Sequence, residues 1–310
     1  MAALVIGTTI TAWWAVSRRT PYWSRTAILW WLAYFMTFTA VGGALRSGQP
    51  TIPSYIGLCL IVAGLSADRR ILIVAGVFLS LLKPTIGLPF TVLLMLSPRT
   101  FAPTMVGIAL IGAASLPSLL TDGLRSGFLR TLFDSPTIYQ TIDYNTPDVM
   151  TGVFHLTSRL VGWAPGVPTS GIVAGLAAGL GALCVQRMRV WSGISNPSTM
   201  IIIGILTTSF IALLHSYDMM LVALLLPCLP SLSLPWRGVA LAGYALLWRP
   251  ENVARLIDGN PVTISDIQST GLLLLFGAFT VGLSRLGQRG ISSNSNIQNP
   301  TGHKQNSKAG

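Results

Sequence analysis

ILIVAGVFLSLLKPTIGLPFTVLLML, residues 71 to 96, is apolar along its length apart from a single charge, Lys83, near its middle. A lysine at the centre of a spanning helix costs roughly 2.5 to 3.5 kcal/mol on insertion scales, so an ionisable group at that depth marks a functional position. Pro84 lacks a backbone donor and drives the preceding residue out of the helical region, while Gly87 and Pro89 weaken the next turn. The helix should therefore break at Lys83. Each half, Ile71 to Leu82 and Thr85 to Leu96, then provides about 18 Å of helix against a hydrocarbon core of about 30 Å, and neither crosses alone. Asp68, Arg69 and Arg70 precede the stretch and Arg99 follows it. Basic residues at both ends predict a segment that enters and returns to the same side, with Lys83 at its apex. Non-helical backbone at depth needs cover from protein or a watery cavity, so Lys83 is expected to line such a cavity. Its removal is expected to relieve the insertion cost, so that Lys83→Met leaves folding intact and weakens only ligand binding.

The remainder of the 310 residues fits this setting: 51% are hydrophobic and 9% charged. Mean hydropathy is +0.64. These values predict an all-α, polytopic integral membrane protein rather than a soluble domain. A net charge of +11 raises the question of nucleic acid. The basic residues, however, are scattered at the ends of apolar runs with no basic, aromatic-interleaved patch, which is the pattern of topology signals. Cys59, Cys184 and Cys228 lie in apolar runs without CxxC spacing and read as inert thiols. The N-terminal MAALVIGTTITAWWAV has no positive flank of the signal-peptide kind and reads as part of a span.

Spans are expected at about Ala3 to Val16, Ala27 to Leu45, Ile52 to Ala67, the broken stretch, and Thr104 to Leu120. Further spans are expected at Pro168 to Gln186, Met200 to Leu214, Met219 to Leu234, Val239 to Trp248 and Thr270 to Leu286, giving about 10 to 11 transmembrane or half-inserted helices. These make one membrane domain over residues 1–287. A Ser/Asn/Gly-rich tail over 288–310 reads as disordered and cytoplasmic. With a returning hairpin at Lys83, only Arg46, Arg125, Arg130, Arg159, Arg249 and Arg255 fall on the face that Lys83 approaches; the other basic residues gather opposite. A single span there would divide them almost evenly, so the positive-inside rule prefers the hairpin. The same arrangement puts every acidic residue except Asp68 on the Lys83 face.

The polar groups of that face are the candidate chemistry. Arg46 either snorkels above a Gly48 turn or, with Gln49, binds a phosphate or a sugar hydroxyl. His215-Ser216-Tyr217-Asp218 concentrates an imidazole, a phenol and a carboxylate between two apolar runs. Asp218 is a candidate base or a partner for Lys83, and His215 and Tyr217 are candidate donors to phosphate oxygens. The loop SPTIYQTIDYNTPDVM, 135 to 150, offers Asp143, Asn145 and Asp148, in a composition that suits a sugar-contacting surface as well as a plain solvated connector. Beyond it, GVFHLTSRLVGW places His155 and Arg159 at i and i+4 of a short interfacial helix. There is no HExxH, GxSxG, Walker A or GxGxxG followed by a helix, and neither a metal site nor a cofactor is expected.

Taken in order, the turn ending in Gly48-Gln49, Arg69-Arg70, the half-helix through Ala75-Gly76-Val77 to Leu82-Lys83-Pro84, Asp143-Tyr144-Asn145, Arg159, and Ser216-Tyr217-Asp218 before an apolar span ending at Pro227 resemble glycosyltransferase family 87. Each motif is two to four residues long, and the likeness rests on their order and spacing over about residues 27 to 280. That family lies in the GT-C superfamily of integral-membrane glycosyltransferases and includes polyprenol-phosphate-mannose-dependent α-mannosyltransferases. The resemblance implies a multi-pass cell-membrane protein with an extracytoplasmic active face, a polyprenyl-phosphate sugar donor and an envelope glycan or glycolipid acceptor. It departs in one respect. The acidic residue expected in a first outer loop has no counterpart, as if the N-terminal part were lacking.

Carried onto this chain, the resemblance assigns the donor phosphate to Lys83, Arg46 and His215, with Asp218, Asp143 or Asp148 as candidate bases. The competing expectations are a transporter or flippase built around Lys83, His215 and Asp218, and an inactive family member. A transferase gathers its polar groups at one face, whereas a transporter needs a path open to both.

Overall fold

The computed structural model describes residues 1–17, 25–118, 120, 150–152, 156, 160, 197–211 and 214–295, and within them the fold is all-helical with no strand. In chain order come α1 (Ala2–Ser17), α2 (Arg25–Thr37), α3 (Thr39–Ser47), α4 (Thr51–Ala67), α5 (Arg70–Ser80), α6 (Pro84–Met95) and α7 (Pro98–Ser118). They are followed by α8 (Pro197–Ile211), a 3-10 helix (Ser216–Ser231), α9 (Leu234–Trp248), α10 (Pro250–Arg255) and α11 (Pro261–Ser295).

The 71 to 96 stretch is a helical hairpin. Lys83 has φ −126 and ψ 92, the extended conformation that a following proline imposes, and Pro84 opens α6 where its missing donor does no harm. The two halves return to one end of the bundle. Asp68, just before α5, and Arg99, just after α6, form a bidentate pair, with Arg99 Nη2 2.6 Å from Asp68 Oδ2 and Arg99 Nε donating to Asp68 Oδ1 at 3.1 Å. At the apex the first turn of α6 lies hard against the end of α5: a Cβ on Gly87 would stand 2.3 Å from the Ser80 carbonyl oxygen.

Glycines also set the spacing of α4 on α5. A Cβ on Gly76 would come within 2.7 Å of the Gly57 carbonyl oxygen, and one on Gly57 within 2.5 Å of the Ser80 nitrogen. The backbones touch, which is how helices associate where lipid supplies no hydrophobic drive. α7 continues the layer, with Gly107 against Val77. On the other side of α4, Thr9 of α1 shares a 3.0 Å hydrogen bond with buried Tyr55, and Phe35 of α2 stacks on the Tyr55 ring at 5.8 Å.

The centre of the molecule is the 3-10 helix. Residues 219 to 226 are all buried, and its neighbours are α3, α8, α1, α4, α9, α11 and α2. The sequence predicts an ordinary span from Met219 to Leu234; the structure replaces it with a tighter rod of 16 residues. At about 2.0 Å rise per residue that rod is about 32 Å long, close to the hydrocarbon thickness that an α-helix needs ~20 residues to match. Pro227 and Pro230 lie in its last turns, where an α-helix would lose two donors and meet ring clashes. With three residues per turn the two rings fall on one face.

Two further expectations are corrected. The span from Ala27 to Leu45 divides at Phe38, whose backbone is extended (φ −70, ψ 122), into α2 and α3. Phe38 is buried in an aromatic pile with Tyr34, and the hydroxyl of Thr39 donates to the Trp248 carbonyl, so packing makes a break that no proline or glycine announces. The last helix starts at Pro261 rather than near Thr270, capped by Asn260, whose side-chain oxygen accepts the Val262 N–H at 2.9 Å. It continues to Ser295, into the segment assigned to the tail; residues 296–310 lie outside the described ones, as does the expected span from Pro168 to Gln186.

Among the described residues two helices are long and apolar enough to cross a membrane, Pro98–Pro117 and Pro261–Val281. The pair α3 and α4, bent by 119°, makes a third if taken as one broken span. The other apolar helices, α1, α5, α6, α8 and the 3-10 segment, fall short of span length as α-helical residue counts.

Candidate functional site

Three separate turns meet at the end of the bundle opposite the Asp68–Arg99 pair. They are the start of α4 after the Gly48-Gln49-Pro50 turn, the hairpin apex, and the start of the 3-10 helix. Lys83 Nζ lies 2.5 Å from Asp218 Oδ1 and donates to Thr51 Oγ1 at 3.0 Å; the Thr51 hydroxyl in turn donates to the same Asp218 oxygen at 2.5 Å. The other carboxylate oxygen accepts the His215 backbone N–H at 3.0 Å. The carboxylate thus has three donors and is fully buried, while the Lys83 side chain keeps 17% exposure.

Local chemistry explains why Asp218 stands where it does. It is the third residue of the 3-10 helix, where a carboxylate accepts the N-cap N–H and favours the positive end of the helix dipole. The box is reciprocal, because the His215 side chain accepts the Asp218 N–H. His215 stacks on Tyr217 with ring centroids 5.0 Å apart, and Lys83 Nζ sits 5.0 Å from the Tyr217 ring centre. A cation over an aromatic face is attracted by the ring quadrupole. The Tyr217 Cβ in turn sits close to Gly43 of α3.

Burial, assisted by the Lys83 charge and opposed by Asp218, pushes the His215 pKa down from its ordinary value. The unfolded chain therefore takes up this proton before the folded one does. Stability is expected to be level above about pH 6.5, the unperturbed histidine value, and to fall as pH drops below it until the folded-state pKa is passed. Protonation would also remove the acceptor nitrogen of the cap and place a second cation beside Lys83. Thermal unfolding in detergent between pH 8 and pH 5 checks this, and His215→Gln should flatten the acid limb.

The other predicted site residues divide into two groups. Arg46 lies in the last turn of α3 and is exposed; Gln49 is half-buried in the turn before Thr51, and neither joins the ion pair. Asp143, Asn145, Asp148, His155 and Arg159 lie outside the described residues. The chain just after Asp148 is described, however, and it is fastened beside the site. Thr151 exchanges two backbone hydrogen bonds with Leu214, of 2.7 and 3.1 Å, next to His215. Thr151 Oγ1 donates to Gln268 Oε1 at 3.0 Å, the Ser265 hydroxyl to the Met150 carbonyl at 2.6 Å, and the Gly152 N–H to Ser269 Oγ at 3.2 Å.

Thr51 and the trio Ser265, Gln268 and Ser269 are what sequence reasoning missed. A threonine at a helix start carries no signal of its own. The trio does: polar residues at i, i+3 and i+4 ahead of the apolar run share one helix face, and such a stripe marks a face that meets backbone rather than lipid. Among the described residues no three His, Cys, Asp or Glu side chains come together as a metal site would require.

The chain matches no family model, no curated protein and no solved structure. The functional reading therefore stands on the site itself and on the order of the short motifs.

In chemical terms the cluster offers a cation with one open side, flanked by an imidazole and a phenol, and a carboxylate locked by three donors. Asp218 touches structure on every side, and it does not present an oxygen to a ligand in this conformation.

Proposed function

We propose that the protein is a membrane glycosyltransferase that transfers a sugar, mannose in the first instance, from a polyprenyl-phosphate donor to an envelope glycan or glycolipid. It would do so at the extracytoplasmic face of a chain with about 10 to 11 membrane-inserted helices. The observation that carries this reading is the convergence of the Gly48 to Thr51 turn, the Lys83 apex and the His215 to Asp218 turn at one end of the bundle. A one-sided polar site suits group transfer at an interface, where a two-sided path would suit transport.

In such a transfer the acceptor hydroxyl attacks the anomeric carbon, a carboxylate takes its proton, and the bond from that carbon to the phosphate oxygen breaks. The polyprenyl phosphate leaves with added negative charge. Lys83 and Arg46 are the candidate cations that stabilise this charge, and His215, whose pKa burial pushes down, is a candidate N–H donor to the phosphate. Because Asp218 is engaged on all sides, the better candidates for base are Asp143 and Asp148. The second lies two residues before Met150 in the sequence, and the Met150 carbonyl accepts the Ser265 hydroxyl. Asn145, Tyr217, Gln49, His155 and Arg159 are the candidate contacts to sugar hydroxyls and phosphate.

The test is transfer of labelled mannose from polyprenyl-phosphate mannose by the protein in liposomes, comparing the unaltered chain with Asp148→Asn and Asp143→Asn. One of the two is expected to lose about 10²- to 10⁴-fold in rate, as for loss of a positioned general base, with its thermal stability unchanged. Absence of donor binding by the well-folded unaltered protein would overturn the reading.

A further inference from the structure

At the end of the bundle away from Lys83, the two feet of the hairpin stand side by side and carry three arginines. Arg69 and Arg70 begin α5, and Arg99 begins α7 after α6 has returned. All three are exposed, and the single acid among them, Asp68, is spent on Arg99 through its two-point contact. The cluster has a net charge of about +2 on this count, with the Arg70 and Arg99 side chains bordering one shallow recess.

The rest of the lining is largely apolar: Leu65, Ile73 and Leu94 line the recess, together with Asp68, Ser97 and Thr100. Thr100 is buried and donates its hydroxyl to the Leu94 carbonyl. Ile71 is 71% exposed and Phe101 46% exposed, one on each foot. Cationic and apolar residues lining one recess, with exposed apolar side chains on the same two feet, match the division of a phospholipid into phosphate and acyl chain. Basic pockets between membrane helices take anionic headgroups on the same logic.

We infer that the recess between Arg70 and Arg99 binds the headgroup phosphate of an anionic phospholipid, whose acyl chains lie along Ile71 and Phe101. The guanidinium of Arg99 is already oriented by Asp68, and Arg70 lines the same recess, so the phosphate meets two guanidinium groups. Asp68 sets the strength of the site by neutralising one of its cations. The site is independent of the Lys83 cluster and of the reaction proposed there.

The experiment is thermal unfolding of the whole chain in neutral detergent with added phosphatidylglycerol, phosphatidylcholine or inorganic phosphate, backed by direct titration of lipid binding. Phosphatidylglycerol is expected to protect and phosphatidylcholine not. At about 1 kcal/mol per basic residue near an anionic surface, Arg70→Gln should weaken binding about fivefold, and Arg70→Gln with Arg99→Gln about 25-fold. Asp68→Asn should tighten it about fivefold, a direction that mere loss of an ion pair would not give. Equal protection by both lipids, unchanged affinity in the doubly substituted protein, or protection by inorganic phosphate alone would each overturn the inference. All the substituted side chains are exposed, and their unfolding temperatures without lipid show whether the fold has been kept.

Discussion

Lys83→Met is expected to destabilise the folded protein by about 3 to 5 kcal/mol, the range for breaking a buried ion pair from one side. Read from the sequence alone, the same change should be harmless, because a lysine at membrane depth is costly and methionine is not. The structure reverses the sign. Lys83 is the partner of a carboxylate with no exposure at all, and without the ammonium that carboxylate stays buried with only a hydroxyl and one backbone N–H to hold it. Asp218→Asn should cost less. Asparagine can keep its carbonyl oxygen for the His215 N–H and turn its NH2 to the Thr51 hydroxyl, which accepts as well as donates, and Lys83, already 17% exposed, can swing its ammonium toward water. Combining the two substitutions removes both charges and should recover most of the loss. Unfolding of the four proteins in detergent gives the cycle. A Lys83→Met protein as stable as the parent would mean that the pair does not exist.

The second large effect is expected at the hairpin apex. Gly87→Ala puts a methyl group 2.3 Å from the Ser80 carbonyl oxygen and 2.8 Å from the Leu81 nitrogen, and both are backbone atoms that no rotamer change can move aside. The first turn of α6 must lift off the end of α5. Overpacking of this kind costs about 1 to 3 kcal/mol where side chains yield, and the upper end or more is expected where only backbone can. Because Lys83 sits in the turn being forced, the distance to Asp218 should change as well. Gly112→Ala is the control. Gly112 lies in α7 with open space where a Cβ would go, so alanine there should be neutral or stabilising by up to about 1 kcal/mol through helix propensity. Unfolding temperatures distinguish the two; equal behaviour would show that the close approach at Gly87 is absent.

The break at Lys83 was legible because it is a local matter. A proline dictates the backbone of the residue before it whatever surrounds them, and the extended Lys83 obeys that rule. The return of the chain was legible through Arg69, Arg70 and Arg99, since charge at both ends of an apolar stretch places both ends in water. The cap at Asn260-Pro261 was equally local, but Thr263, Ser265, Asp266, Gln268 and Ser269 lower the hydropathy there and hid the start of a helix whose polar face meets the Met150 to Gly152 segment.

Other features had no local cause. The bend at Phe38 comes from an aromatic pile that includes Tyr34 and Trp248, the latter more than 200 residues away, and nothing in FMTFT records it. The 3-10 winding of residues 216 to 231 belongs to a segment enclosed on all sides, where the space left by its neighbours joins Pro227 and Pro230 in setting the helix type. Most of all, the sequence left Asp218 with two roles, base or partner of Lys83, because the choice depends on how deep the carboxylate lies and on what reaches it. Those are properties of Thr51 and Lys83, 167 and 135 residues distant along the chain. Backbone chemistry acts between neighbours and can be read from them; the desolvation of a charge is set by everything packed around it, and only the folded chain decides that.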